Sequence, residues 1–310
     1  MSYQQLLLYH NPVMLLECMD GLAIKDGGVY VDVTFGGGGH SREILSRLGP
    51  KGKLFAFDQD PDALENLIDD ARFVLIPENF RFISRFLRFH RIKKADGVLA
   101  DLGVSSHQFD EAERGFSIRF DGDLDMRMNQ KSKVSAKEII NNYSEEKLAE
   151  ILFLYGELRN SRNIAKTIVE QRAVAKIETS FQLKNVLQKY LPNAKEHKIL
   201  AQIFQAIRIE VNEELDVLRE FLAQIPSLLS SNGRLSVIAY HSLEDRLVKR
   251  FIRTGIFHGE LEKDAFGNSN EPLQKVGKLI VPSQEEIKAN NRARSAKLRI
   301  ATLKQQRIKK

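Results

Sequence analysis

Four short β-rich apolar segments, 29–35, 54–57, 73–76 and 97–100, recur with helix-compatible stretches between them. The first runs straight into four consecutive glycines, Gly36 to Gly39. Strand alternating with helix at this spacing predicts βαβ units, because parallel neighbours need a crossover long enough to hold a helix. Residues 41–48, 63–71 and 81–91 are the predicted crossover helices. With 43% apolar residues the chain has material for a core on both faces of such a sheet.

The rhythm breaks after Ser105. Residues 106–130 read as loop, and from 135 to about 191 the pattern is that of helices joined by short turns. A single long helix is expected next, with Ile199, Ile203, Ile207, Val211, Leu215 and Leu218 at steps of three or four. The α/β pattern then resumes with a strand at 234–240, a helix at 243–253 and a last strand at 296–303. The expected organisation is one discontinuous α/β domain, 1–105 and 206–310, carrying an all-helical insertion at 106–205.

A glycine turn that ends a strand and opens a helix lets backbone approach a ligand at the carboxyl edge of the sheet. Asp32 lies within the first strand and Asp58 ends the second, where a carboxylate can accept from both hydroxyls of a ribose. The G-x-G-x-x-G fingerprint fails, since Ser41 or Arg42 stands where the third glycine belongs, and no P-loop motif occurs. These features fit S-adenosylmethionine (SAM) better than a dinucleotide, with an NAD-like site and a purely structural turn as alternatives. Asp101-Leu-Gly-Val-Ser-Ser106 follows the fourth strand, where polar groups can hold an exocyclic amine. A βα turn with Asp101 as helix cap is the other reading.

At these residues the chain resembles the RsmH/MraW family, SAM-dependent enzymes that methylate N4 of a cytidine in 16S ribosomal RNA, in the decoding-centre and P-site region of the small subunit. The matching segments run nearly end to end: His10-Asn-Pro-Val13 with Glu17, Thr34-Phe-Gly-Gly-Gly-Gly-His-Ser41, Phe57-Asp-Gln-Asp-Pro61, and Asp101 to Ser106 with Gln108. Arg114-Gly-Phe-Ser117, Asp125-Met-Arg-Met128, Phe204-Gln-Ala-Ile-Arg208 and Asn212-Glu-Glu-Leu215 continue the match. His241-Ser-Leu-Glu-Asp-Arg246 and Arg292-Ala-Arg-Ser295 complete it. Three positions depart from the family pattern, His107, Asn291 and Tyr240, the last standing where phenylalanine is common.

The resemblance implies a Rossmann-like class I SAM-dependent methyltransferase sheet with an inserted helical domain that recognises RNA. It implies a cofactor site of Gly38, Gly39, His40, Asp58, Phe80, Asp101 and Gln108, with Asp58 on the ribose and Phe80 on the adenine. Asp101 and the strand end Tyr240-His241-Ser242 are candidates for holding the amine; no general base and no metal is assigned. Arg114, Arg127, Arg292 and Arg294 are the expected RNA contacts, the first two in a lid with Phe116 and Phe120; a loop pinned by ion pairs is the alternative. The implied partners are 16S rRNA or the 30S subunit, and a homodimer is one assembly open to the chain. The competing functions are a non-catalytic RNA-binding ribosome-assembly factor that retains the SAM fold, an NAD-dependent oxidoreductase, and a DNA amino-methyltransferase.

Charge and cysteine content narrow the setting. The net charge is +6, and residues 288–310 hold nine basic and no acidic residues, leaving 38 basic against 41 acidic elsewhere. A basic tail can meet phosphate through counterion release, or be a solvated terminus. One cysteine, Cys18, excludes an internal disulfide and a cysteine-based zinc site. The first residues lack a signal-peptide pattern, and no apolar run approaches the ~18 residues that span a bilayer, so a cytoplasmic protein without a membrane partner is expected. Residues 80–94 hold six basic residues and no acid. The preferred reading is a crossover helix burying Phe82, Phe86 and Phe89 against the sheet beside a solvated basic face; RNA contact is the alternative. Asp121, Asp123 and Asp125 do not make a calcium loop, because Met126 occupies the glycine position. His241, Ser242 and Asp245 lack the order and context of a hydrolase triad.

Overall fold

The computed structural model describes residues 12–261 and 271–304. His10 and Asn11 of the first motif, the reading of the N-terminus, and Arg307, Lys309 and Lys310 of the basic tail lie outside the described residues. The chain divides into two compact units, a sheet unit of residues 1–103 with 216–310 and a helical unit of residues 104–215. The second boundary falls ten residues after the expected 205/206, because the helix Glu196–Asn212 buries Ile203, Phe204, Ile207 and Val211 in the core of the helical unit.

In chain order the first part runs α1 (Leu15–Leu22), β1 (Val29–Asp32), α2 (Gly39–Arg47), β2 (Lys53–Phe57), β3 (Phe73–Ile76), α3 (Ile83–Phe89) and β4 (Ala95–Asp101). Next come α4 (Ser106–Asp110), α5 (Ala136–Asn142), α6 (Glu145–Leu154), α7 (Ser161–Arg172), α8 (Ser180–Val186) and α9 (Glu196–Asn212). The chain returns through α10 (Glu214–Leu228), β5 (Leu229–Ala239), α11 (Ser242–Thr254), β6 (Leu273–Ile280), α12 (Gln284–Ala289) and β7 (Lys297–Leu303).

The seven strands form one sheet in the order β3-β2-β1-β4-β5-β7-β6. β7 runs antiparallel to both its neighbours, while β1 to β5 are parallel. This is the Rossmann-like α/β sheet expected from the strand–helix rhythm. Both faces are buried, and alternation along β2 shows how: Leu54 and Ala56 enter one core cluster, Phe55 and Phe57 the other. The strand order reverses between β1 and β4, and in open α/β sheets the crevice outside the carboxyl ends at such a reversal is where ligands bind. In the helical unit α6, α7 and α9 share one apolar core, with Leu148, Ile151, Ile164, Ile168 and Ile203 all fully buried or nearly so.

The structure departs locally from the sequence pattern in four places. Residues 63–71 form no α-helix; a 3₁₀ turn at Pro61–Asn66 is all that appears. Asp side chains compete for the backbone there: Asp60 Oδ1 accepts from the Asp62 amide at 3.2 Å, and Asp70 Oδ1 from the Arg72 amide at 2.8 Å. The single long helix is two, α9 and α10, because Glu213 takes a left-handed conformation with φ 50°. Strand β6 was not expected: it is an edge strand whose burial pattern lacks alternation, with exposed Lys275 and Lys278 and a register shift between Val276 and Ile280 beside Gly277, φ 69°. The helix at 81–91 exists as α3, but its phenylalanines do not all go inward: Phe86 is half-buried, while Phe82 and Phe89 are 41% and 79% exposed. Among the described residues no helix is long and apolar enough to cross a membrane.

Candidate active site

The carboxyl edge of the sheet unit gathers the side chains singled out from the sequence. β1 ends at Asp32, fully buried, whose Oδ2 accepts from Ser41 Oγ at 2.7 Å and whose Oδ1 accepts from the Thr34 amide at 3.1 Å. Asp32 is thus spent on holding the loop after β1 onto the start of α2. Burial pushes its carboxyl pKa up, against the opposing pull of His40 and of these hydrogen bonds. The glycine turn needs its glycines: Gly36 and Gly38 have φ 49° and 75°, and a Cβ on Gly38 would stand 2.6 Å from the Arg42 guanidinium. The 3₁₀ turn Pro61–Asn66 that stands where a helix was expected is part of the brace, since Asn66 Nδ2 donates to the Gly36 carbonyl at 3.2 Å and Arg42 Nη2 to the Asn66 carbonyl at 3.0 Å.

Asp58, just past β2, points at this turn. Its Oδ2 accepts from the Gly36 amide at 2.8 Å and its Oδ1 from the Asp60 amide at 2.9 Å. An ionised carboxylate offers about four acceptor positions, so two remain after these amides. Burial pushes its pKa up to about 6, with the two amides pulling the other way. Phe80 follows β3, half-buried, its ring edge-on to Phe221 at 5.3 Å.

Asp101, the last residue of β4, is the second carboxylate of the edge. Its amide donates to Thr34 Oγ1 at 2.7 Å, its Oδ1 accepts from the Tyr240 hydroxyl at 2.7 Å, and its Oδ2 lies 3.7 Å from His40 Nδ1. His40 Nε2 is 3.1 Å from the Val13 carbonyl, which can only accept, so that nitrogen carries a hydrogen. The other ring nitrogen then faces Asp101 at 3.7 Å, beyond hydrogen-bond reach. Burial raises the Asp101 pKa to about 6; His40 and Tyr240 pull it down, and the charges of Asp32 and Glu244 push it up.

The Tyr240-His241-Ser242 strand end is held by Glu244, a residue the sequence reading did not assign. Buried Glu244 accepts from the Tyr240 amide at 2.9 Å and the His241 amide at 3.3 Å, while His241 Nδ1 accepts from the Glu244 amide at 3.4 Å. This is a capping box on α11 with histidine as the cap, one step outside the S/T-x-x-E pattern that would have revealed it. Beyond it lies a cleft of about 380 Å³ lined by Tyr240, His241, Ser242, Ile287, Arg294 and Lys297, among others. Arg292 and Arg294 are exposed on the 3₁₀ turn Asn291–Ser295.

Gly38, Gly39, His40, Asp58, Phe80, Asp101, His241, Ser242, Arg292 and Arg294 therefore all belong to the sheet unit. Gln108 belongs to the helical unit, where its Oε1 accepts from the Ser105 amide at 3.0 Å in a capping box on α4. Arg114 and Arg127 are also in that unit and are used inside it. Arg114 is buried, lies over the Phe116 ring at 5.8 Å, and donates to the Arg127 carbonyl at 2.9 Å. Arg127 clasps both carboxylate oxygens of Asp125 and donates to the Ser132 carbonyl at 2.7 Å. The loop expected as a lid is thus pinned through its arginines, Arg114 buried and Arg127 partly exposed on Asp125.

The whole constellation matches a known family. A family model described as the MraW methylase family matches residues 7–304. The chain belongs to this family. Its members include the Ribosomal RNA small subunit methyltransferase H of Christiangramia forsetii, 64% identical over 296 residues, which cover 96% of this chain and 98% of that protein. The protein of the same name from Flavobacterium johnsoniae is 65% identical over 293 residues, 94% of this chain and 97% of that one. That of Bacteroides fragilis is 53% identical over 297 residues, 96% and 98% of the two chains. Membership makes the chain a methyltransferase.

Proposed function

We propose that the protein transfers a methyl group from SAM to N4 of a cytidine in 16S rRNA, acting in the cytoplasm on the small ribosomal subunit. The observation that carries the reading is the pair of carboxylates flanking the sheet reversal, Asp58 with two acceptor positions left and Asp101 aimed by Tyr240. The full-length relatives named for small-subunit rRNA methylation support the substrate class.

In this reading Asp58 accepts from the ribose hydroxyls, the bare backbone at Gly38 and Gly39 and the adjoining His40 line the cofactor, and the open part of the Phe80 ring packs on its adenine. When bound, SAM supplies a methyl group already activated by its sulfonium. The chain's task is to align the amine, and alignment alone lowers a barrier by about 7–11 kcal/mol. The cytosine amine shares its lone pair with the ring, so an acceptor that takes one of its hydrogens favours the pyramidal nitrogen that attacks. Asp101 is the group proposed for that role and for holding the released proton. Arg292 and Arg294 are proposed to hold RNA phosphate at the mouth of the cleft.

His241→Ala is expected to slow methylation more than it weakens SAM binding. It should also lower Tm by a few degrees, since a lost cap costs about 1 kcal/mol. Unchanged turnover removes His241 from the reaction.

The test of the whole reading is mass spectrometry of 16S rRNA from a strain lacking the gene, and of that rRNA or its 30S subunits after treatment with enzyme and SAM. One N4-methyl mark lost and then restored is expected. An unchanged rRNA, or a methyl on another atom, overturns the reading; SAM binding by calorimetry without any transfer points instead to a non-catalytic assembly factor.

A further inference from the structure

The crossover helix α3 carries a surface that neither the core nor the cofactor edge accounts for. Arg85 and Phe89, four apart, share one side of the helix with Arg88 beside them, and Phe82 caps its start at the end of the 3₁₀ turn Phe80–Phe82. Ile83 and Leu87 on the other side are fully buried in the core. Phe89 is 79% exposed and Phe82 41%, an unusual cost for two large aromatics so close together. Arg81 is paired with Glu220 at 2.5 Å. Arg85, Arg88, Arg91 and Lys93 are exposed and have no ion pair among the described residues, and no acid occurs anywhere from 80 to 94. Because β3 and β4 flank the reversal-side strands in parallel, α3 descends from the carboxyl edge, where Phe80 sits, toward the opposite edge.

We infer that this face, Phe82-Arg85-Arg88-Phe89 with Arg91 and Lys93, is a second RNA-binding surface that stacks unpaired bases and tracks their phosphates. The inference rests on the proposed RNA substrate. Single-stranded nucleic acid is held by this combination, aromatic rings for bases and unpaired cations for the backbone. Other occupants fit less well. An amphipathic helix that lies in a membrane segregates apolar from basic residues, whereas here Arg85 stands between the two phenylalanines, and α3 has only seven residues. A hydrophobic groove on a protein partner would have to bury that same guanidinium, which lies over the Phe86 ring at 5.9 Å and has no ion pair among the described residues.

The test uses the full chain, a labelled cytidine-containing single-stranded RNA of about 12 nucleotides, within the span such platforms cover, and phosphatidylserine vesicles. Phe89→Ala is expected to weaken RNA binding by about five- to a hundredfold, the range of one lost base stack. Phe89→Trp should restore binding and Phe89→Leu should not, since only a ring stacks. The double change Arg85→Glu and Arg88→Glu should lower the slope of log affinity against log salt by about 1.4, for two phosphate contacts on a single strand. SAM affinity should stay within twofold in every variant. Variants that match the parent in RNA affinity and salt slope overturn the surface, as does a Phe89→Leu protein that binds like the parent. Vesicle binding that is lost together with these side chains while RNA binding is kept also overturns it. A parent protein that does not bind this RNA also overturns the surface, while the substrate reading stands or falls separately on the mass spectrometry of 16S rRNA and its 30S subunits.

Discussion

Replacing Asp58 by alanine should raise the Kd for SAM by about three orders of magnitude and by asparagine by about two, read by calorimetry on the purified protein. The carboxylate has two acceptor positions left after the Gly36 and Asp60 amides, and hydrogen bonds to a charged acceptor are worth about 1.5–3 kcal/mol each. Asparagine keeps one acceptor oxygen and the shape, which is why its loss is smaller. The pH dependence has a definite sign. Burial holds the Asp58 pKa up at about 6, so the protonated form takes over as pH falls below that value. SAM affinity should therefore weaken on going from pH 7 to pH 5, and the Asp58→Asn protein should not show that dependence. A Kd within threefold of the parent in both variants would mean that this carboxylate does not hold the ribose.

The second large effect concerns Asp101. Asp101→Asn should cut kcat by about 10²–10⁴, the usual worth of a positioned acid–base group, with a much smaller change in SAM Kd. An ionised Asp101 is needed to accept a hydrogen from the amine, and its pKa is raised to about 6. The rate should thus rise with pH through about 6 and level off above it, falling tenfold per unit on the acid side. Tyr240→Phe removes the hydroxyl that donates to Oδ1 at 2.7 Å, leaving the downward pull of His40 against burial and the charges of Asp32 and Glu244. Without it the acid limb should move up by about one to two pH units, since a hydrogen bond to a charged acceptor is worth about 1.5–3 kcal/mol and one pKa unit about 1.4 kcal/mol. A Tyr240→Phe profile that superimposes on the parent's would show that the phenol is only packing.

These predictions depend on residues that differ in how visible they were. The glycine turn, Asp58 and Asp101 were legible because they are punctuation: each sits where an apolar strand stops, and a polar residue there has few purely local explanations. Glu244 and Ser41 were not, because an acid or hydroxyl in the first turn of a helix reads as ordinary capping. Only the fold shows that the groups they fix lie at the carboxyl edge. Arg114 and Arg127 are a different case. Beside Phe116 and Phe120 they read as an RNA lid or as a pinned loop, and in the structure one guanidinium is buried over Phe116 and the other is closed on Asp125. A guanidinium's partner is a matter of which carbonyl or carboxylate folding brings near.

The pattern of apolar runs and glycines, taken alone, decided the parallel α/β sheet, the helical interruption after Ser105 and the acids at two strand ends. All of these follow from periodicity and turn chemistry, which act over a few residues. Which face of α3 meets water, where the long helix breaks at Glu213, that Leu273–Ile280 joins the sheet as an edge, and that a phenol from the end of β5 settles on the carboxylate of β4 were decided by the assembled fold. Tyr240 and Asp101 are 139 positions apart along the chain. No local propensity reports such a contact, because its energy exists only once β4 and β5 pair in register and bring the two side chains to the same edge.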